Sequence, residues 1–159
     1  MMNRIKYLIM DVDGTLTNGK IYIGQREEVF KAFSCKDGYG ITHILKPSGI
    51  KPVIITGRVS DIVKNRCKEH GIELLFQGAS DKVAVLDDLL KQLGSSLDEC
   101  AYIGDDMNDY EVMNKIRLNG GITACPCDAV KGIKDICSFI STKEGGNGAV
   151  REFIEYITE

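Results

Sequence analysis

The stretch "YLIMDVDGTLTNG", residues 7–19, decides the fold. The apolar run "IKYLIM", residues 5–10, is predicted to be a strand buried on both faces, the kind found inside a parallel sheet. It ends on Asp11, and Asp13 follows after one valine, with Gly14 turning the chain at once. Two carboxylates so close together disfavour joint ionisation. A divalent cation offsets that cost, and magnesium, held by oxygen ligands, needs only one or two protein carboxylates.

Working outward, "KIYIG" and "VFKAF" around "QREE" predict a hairpin, residues 20–33. A helix is expected from about Gly38 to Leu45. "KPVIITGR" is a second buried strand, and "SDIVKNRCKEHG" a helix with Ser60 as N-cap and Gly71 just past its end. "IELLFQG" is a third strand. "SDKVAVLDDLLKQLG" is an amphipathic helix capped by Ser80 or Asp81 and stopped by Gly94. "ECAYIGDDMND" is a fourth strand running into an acidic loop, and "DYEVMNKI" a short helix. "GITACPCDA" is a short fifth strand and turn, "AVKGIKD" a short helix, and "CSFIS" a strand or loop. "KEGGNGAVREFIEYITE" is a Gly-rich turn and a terminal helix. Strands alternating with helices imply an α/β fold, a doubly wound parallel sheet with sites at the carboxyl ends of its strands.

The 159 residues suit a single domain, 1–159. A net charge of -3, from 20 basic and 23 acidic residues, argues against a nucleic-acid partner, which calls for a basic face. No apolar run is long enough to cross a membrane. The apolar part of the start is too short for a signal peptide, and acid follows at once, so the expected location is the cytoplasm. The six cysteines are then expected as thiols. Cys125 and Cys127 invite a zinc reading, but no second pair has ligand spacing and His43 and His70 lie far off, so small buried side chains are expected instead.

Four strand ends carry polar groups: Asp11 and Asp13; Thr56, Gly57 and Arg58; Lys82; and Asp105, Asp106 and Asp109. Each alone has an ordinary reading. Asp-x-Asp-Gly can be a plain turn, Thr-Gly-Arg is common in loops, and a lysine at a helix start is usually solvated. "GDDMND" is stronger, because its three acids repel unless a cation binds. On successive strands of one sheet the four groups converge, and together they suit a phosphate: a cation, a hydroxyl, free N–H groups and a metal.

This set, D-x-D-G-T-L-T, I-T-G-R, a downstream lysine and G-D-D-x-x-D, resembles the haloacid dehalogenase superfamily of phosphotransferases over nearly the whole chain. The resemblance implies a Rossmann-like core, Mg²⁺ and an aspartyl-phosphate intermediate. It makes Asp11 the nucleophile and Asp13 the acid and base, with Asp11, the backbone carbonyl of Asp13, and Asp105 on the metal. It puts Thr56 and the N–H of Gly57 on the phosphate and Lys82 on the transferred charge. Asp106 is expected to orient Lys82 or metal-bound water, and Asp109 is a further supporting candidate.

Neither gap between these motifs holds a cap domain. The first holds only the hairpin and one helix, the second one helix and one strand, so a capless core with a hairpin flap is expected. "VFKAFSCKDGYGI" and "KEGGNGAVREF" resemble the phosphatases of 3-deoxy-D-manno-octulosonate 8-phosphate, whose relatives act on nine-carbon sialic-acid-like 9-phosphates. That resemblance implies a keto-acid sugar phosphate substrate. It also implies a homotetramer built on the hairpins, with the Gly-rich tail approaching a neighbour's site. Arg58 and Arg66 are candidates for the sugar carboxylate, and Gly146, Asn147, Gly148 and Arg151 for contacts across the interface. An arginine at 58 favours the octulosonate, because an acid is expected there in enzymes of the nine-carbon substrate. A receiver domain would carry its acceptor on a middle strand, and a phosphomutase would need a cap. A silent oligomerisation domain would not need every motif residue.

Overall fold

The computed structural model describes residues 4–159, so the part of the signal-peptide reading that rests on residues 1–3 lies outside it. The first strand, β1 (Tyr7–Met10), is buried at every position. It lies third in a six-stranded sheet that also contains β4 (Lys51–Ile55), β5 (Leu74–Phe76), β6 (Cys100–Ile103), β7 (Ile122–Cys125) and β8 (Phe139–Ile140). The order is β5-β4-β1-β6-β7-β8, with every pairing parallel. Met10 pairs with Ile54 on one side and Ile103 on the other. Asp11 therefore emerges between the end of β4, where Thr56 lies, and the end of β6, where Asp105 lies. This is where connections leave in opposite directions, the usual place for a site in an open α/β sheet.

Helices cover both faces. One core cluster joins Leu8 and Met10 to α1 (Cys35–Gly40), α2 (Asp61–His70) and α6 (Ala149–Thr158) through Ile41, Val63, Cys67, Phe153 and Ile154. The other joins Ile9 and Tyr102 to α3 (Lys82–Leu93), α4 (Tyr110–Leu118) and α5 (Lys131–Lys134) through Leu86, Leu90, Val112, Met113 and Ile133. Asp81 caps α3 by accepting from the N–H of Ala84, and Gly71 and Gly94 end α2 and α3 in the left-handed conformation, as expected. Ser60 stands at the start of α2, but its hydroxyl makes no cap bond and reaches Glu28 instead, at 3.3 Å. "CSFIS" resolves as a strand, β8. All six cysteines are free, with Cys67, Cys100 and Cys125 buried.

Two expected elements differ. The hairpin strands β2 (Tyr22–Ile23) and β3 (Glu28–Phe30) are shorter than the alternation predicts and form a separate antiparallel ribbon. The helix expected from Gly38 starts at Cys35, because the Ser34 hydroxyl accepts from the N–H of Lys36 and caps it earlier. Gly38 sits within the helix for close packing: a Cβ there would lie 2.7 Å from His70 and 2.8 Å from Arg66. The helix continues through a wider π turn, Ile41–Leu45.

Asp37 ties α1 to α6. It is buried, and its Oδ1 accepts from the N–H of Arg151 at 2.9 Å. Burial pushes its carboxyl up to about 6, against the pull of backbone N–H groups and arginines. An acid whose folded-state pKa is raised favours the protonated fold, so its contribution is present below the unfolded value and lost as pH rises through about 6. Asp37→Asn is therefore expected to lose less stability than wild type between pH 4 and pH 7. The difference should be on the order of 3 kcal/mol, read from urea unfolding at each pH.

Candidate active site

The nucleophile candidate Asp11 is 3% exposed. Its Oδ1 accepts from the N–H of Val12 at 2.8 Å and faces Lys82 Nζ at 3.0 Å. Lys82 lies at the first position of α3, and its ammonium also binds Asp109 Oδ1 at 2.8 Å. Burial works against that ammonium, but Asp11 and Asp109 outweigh it and hold its pKa above the ordinary value. Asp11 is pushed the other way: burial and the Asp109 charge raise it well above a normal carboxyl, against the pull of Lys82. Asp105 is raised to about 7 by burial and by Asp109 and Asp106.

Carboxylate oxygens of Asp11, Asp105 and Asp109 lie within 4.8 Å of one another. One ammonium against three carboxylates, those of Asp11 and Asp109 buried and that of Asp105 half-buried, leaves an excess of negative charge, which a divalent cation would neutralise. Asp109 is nevertheless better read as a support. It is fully buried, and its Oδ1 takes the Tyr102 hydroxyl at 2.7 Å as well as Lys82, while its Oδ2 takes the N–H of Asp105 at 3.2 Å. Asp11 and Asp105 remain for a metal, and Thr15 Oγ1 donates to Asp105 Oδ1 at 3.3 Å.

Asp106 is expected from the sequence to orient Lys82 or metal-bound water, and its contacts do not include the lysine. Its carboxylate caps the short turn Met107–Asp109 by accepting from the N–H of Met107 at 2.7 Å, and Asp109 holds the lysine. Gly14 has φ +91°, and a Cβ there would overlap the Asp105 carboxylate, so only glycine fits this turn.

Asp11, Asp13, Thr56, Gly57, Arg58, Asp105 and Asp106 line one open cleft of about 430 Å³. Thr56 is buried at the end of β4, while Gly57 and Arg58 are exposed. Arg66 is not in this cleft. It lines a separate cavity of about 20 Å³, stacks over Phe33 at 5.3 Å, and pairs with Glu69 at 2.9 Å. Only Val59 and Ser60 separate Arg58 from α2, yet the two arginines line different cavities.

The Gly-rich segment packs on its own chain. The N–H of Gly146 donates to Thr15 O at 3.0 Å, and a Cβ on Gly145 would overlap the carbonyl of Gly14. Arg151 lies over Tyr39 and pairs with Glu155 at 2.6 Å. Asn147 and Gly148 continue the same turn into α6. Within one chain, none of Gly146, Asn147, Gly148 and Arg151 lines the cleft.

Two participants escaped the sequence reading. Tyr102 carried a signal, since a tyrosine buried in a strand needs a partner for its hydroxyl. Lys31 carried none. Its Nζ pairs with Asp13 Oδ1 at 2.6 Å and Glu28 Oε2 at 2.9 Å, where a hairpin lysine ordinarily points to water.

Aspartates at the carboxyl ends of parallel strands, a buried lysine between them and an open polar cleft define a phosphohydrolase-like α/β site. The comparisons agree. The profile of haloacid dehalogenase-like hydrolases matches residues 59–154. The 3-deoxy-D-manno-octulosonate 8-phosphate phosphatase KdsC of Escherichia coli strain K12 is 40% identical over 153 residues, 96% of this chain and 79% of that protein. The crystal structure of the Moraxella catarrhalis 3-deoxy-D-manno-octulosonate 8-phosphate phosphatase, in complex with magnesium, phosphate and KDO, superposes with a TM-score of 0.90 at 42% identity, over 98% of this chain and 87% of that one. The cobalt-bound Haemophilus influenzae phosphatase superposes with a TM-score of 0.90 at 34% identity, over 98% and 88%. The chain belongs to the haloacid dehalogenase-like hydrolases.

Two outcomes are expected of this geometry. A divalent ion must displace the proton that Asp105 holds below about pH 7. Magnesium affinity should therefore weaken on going from pH 8 to pH 6, by about tenfold per unit at the acid end, with proton release visible by calorimetry in buffers of different ionisation enthalpy. Asp109→Asn should leave Lys82 with weaker anchorage and lower kcat by roughly 10- to 100-fold, with a folded circular dichroism spectrum.

Proposed function

We propose that this chain is a Mg²⁺-dependent phosphatase of 3-deoxy-D-manno-octulosonate 8-phosphate. The single observation that carries the reading is the buried Asp11–Lys82–Asp109 cluster beside Asp105 and Asp13 in one cleft. The relatives named for this substrate, at 40% and 42% identity over nearly the whole chain, support it.

Asp11 Oδ1 is engaged by Lys82 and the N–H of Val12, which leaves Oδ2 to attack phosphorus. The product is an aspartyl phosphate, and covalent catalysis splits one hard displacement into two. Lys82 offsets negative charge on the nucleophile and the transferred group. Thr56 Oγ and the N–H of Gly57 bind phosphate oxygens. Asp13 gives its proton to the departing sugar oxygen, then takes one from the water that cleaves the intermediate. The carboxylates of Asp11 and Asp105 and the backbone carbonyl of Asp13 would hold the metal. Bound Mg²⁺ supplies positive charge against the phosphate oxygens and aligns the displacement. Arg58, exposed at the cleft, suits the substrate carboxylate.

The hairpin supports a homo-oligomeric assembly, with a tetramer as our reading. Ile23 is 71%, Val29 60% and Phe30 49% exposed, an apolar face that a second copy would cover.

The test is phosphate release with Mg²⁺ from 3-deoxy-octulosonate 8-phosphate, nonulosonate 9-phosphates and hexose phosphates. The octulosonate should be preferred, and Asp11→Asn should lower kcat by at least about a thousandfold. Preference for a nine-carbon acid would keep the chemistry and overturn the role given to Arg58. No turnover by folded wild-type protein would leave an assembly domain without catalysis.

A further inference from the structure

We propose that Lys31, on the hairpin, is a positioning residue for Asp13: it binds one carboxylate oxygen through the cycle and confines proton transfer to the other. This rests on the reading of Asp13 as the acid and base.

The Lys31 side chain is only 1% exposed, although the hairpin around it faces solvent. An ammonium so buried is costly unless it is paired. Its partners are Asp13 Oδ1 at 2.6 Å and Glu28 Oε2 at 2.9 Å. Glu28 is itself anchored, since its Oε1 accepts from Ser60 Oγ at 3.3 Å, and the N–H of Ser60 donates to Gln77 Oε1 at 2.8 Å. Ser60 begins α2 and Gln77 follows β5, so a polar chain runs from Asp13 through the hairpin back to the sheet.

Asp13 needs such a holder. Its neighbour Asp11 is fixed by Lys82 and by the N–H of Val12, whereas Lys31 is the only side chain bonded to the Asp13 carboxylate among the described residues. A carboxylate that donates and then accepts a proton must keep one geometry through both steps, within hydrogen-bond reach of the moving oxygen. With Oδ1 on the ammonium, Oδ2 gives its proton to the sugar oxygen as the P–O bond breaks. The same Oδ2 then takes a proton from water as the water oxygen bonds phosphorus and the Asp11 O–P bond breaks, returning the Asp11 carboxylate and free phosphate. The Lys31 ammonium has no acceptor site, so it takes no proton from Oδ2 and orients without joining the transfer. Buried as it is, it offers nothing to the substrate carboxylate.

The test compares Lys31→Met, Lys31→Arg, Glu28→Gln, Asp13→Asn and the Asp13→Asn/Lys31→Met double variant, with Mg²⁺ and 3-deoxy-octulosonate 8-phosphate. Lys31→Met should lower kcat about tenfold or more with KM within about twofold, and Lys31→Arg should recover part of the loss. The drop in kcat/KM should be smaller on 4-nitrophenyl phosphate, whose leaving group needs little protonation. In the Asp13→Asn background, removing Lys31 should cost nothing further, because the two act as a unit.

Wild-type kcat in Lys31→Met overturns the proposal, as does a rise in KM alone or an equal loss with and without Asp13. Wild-type rates in Asp13→Asn overturn the acid–base reading and the proposal with it, a result distinct from the others. If Lys31→Met fails to fold by circular dichroism, Glu28→Gln decides: a kcat loss with unchanged KM supports the proposal, and an unchanged kcat overturns it.

Discussion

The buried ammonium of Lys82 is the contact on which the rest of the site depends. Asp11 and Asp109 both come to it at 3.0 Å or less, and neither side chain has water to share its charge. Removing the lysine would leave two buried carboxylates facing each other, the costliest way to break such a network. The arrangement also remains anionic with the lysine in place, because Asp105 adds a third acid to the cluster. That residual charge is what makes the site a receptor for a divalent cation, and it adds to burial, the larger cause, in raising the pKa values of Asp11 and Asp105. Asp109 has a different task. Three donors converge on it, Lys82 from α3, Tyr102 from β6 and the N–H of Asp105 from the loop after β6, so it sets the distance between α3 and the end of β6.

The sheet order supplies the remaining precision. β1 lies between β4 and β6, so groups distant in sequence meet at one edge without any long loop. Glycines then let backbone take the place of side chains. Gly14 admits the Asp105 carboxylate, and Gly145 admits the carbonyl of Gly14 itself. The loop after Asp11 is thereby clasped between the end of β6 and the approach to α6. The N-terminus of α6 is held in turn by Asp37 of α1. A change at the start of the terminal helix can therefore reach the loop after Asp11 through backbone contacts.

Much of this was legible in the sequence, for identifiable reasons. The strand ending at Asp11 had nowhere to go but the middle of a parallel sheet, since it offers no polar face. The caps at Asp81, Gly71 and Gly94 follow local rules that tertiary contacts did not override. That Asp109 and not Asp106 holds Lys82 was not legible. Both lie in one acidic loop, and only the short turn Met107–Asp109 decides which carboxylate swings inward. Arg66 was misplaced because helical spacing fixes a face and not the direction of the chain entering the helix. Lys31 could not be read at all: the strand alternation gives it a side of the hairpin, while its burial comes from Asp13 and Glu28 folding over it.

The hairpin thus carries two opposed chemistries. Its outer face shows Ile23, Val29 and Phe30 to solvent, and its inner side delivers a cation to Asp13. Within the described residues the cleft above Asp11 is open. A two-stranded ribbon alone is marginal in water, so its geometry depends on what it packs against. On the inside that is the Lys31–Glu28–Ser60 chain, which reaches the start of α2. On the outside it is whatever covers the apolar face. An ion pair of 2.6 Å is sensitive to small shifts of the strand that carries it, so stiffening the ribbon from outside would sharpen the position of Asp13 inside. If a second copy covers that apolar face, as proposed, the ribbon would link assembly to the placement of Asp13 through the Lys31 contact.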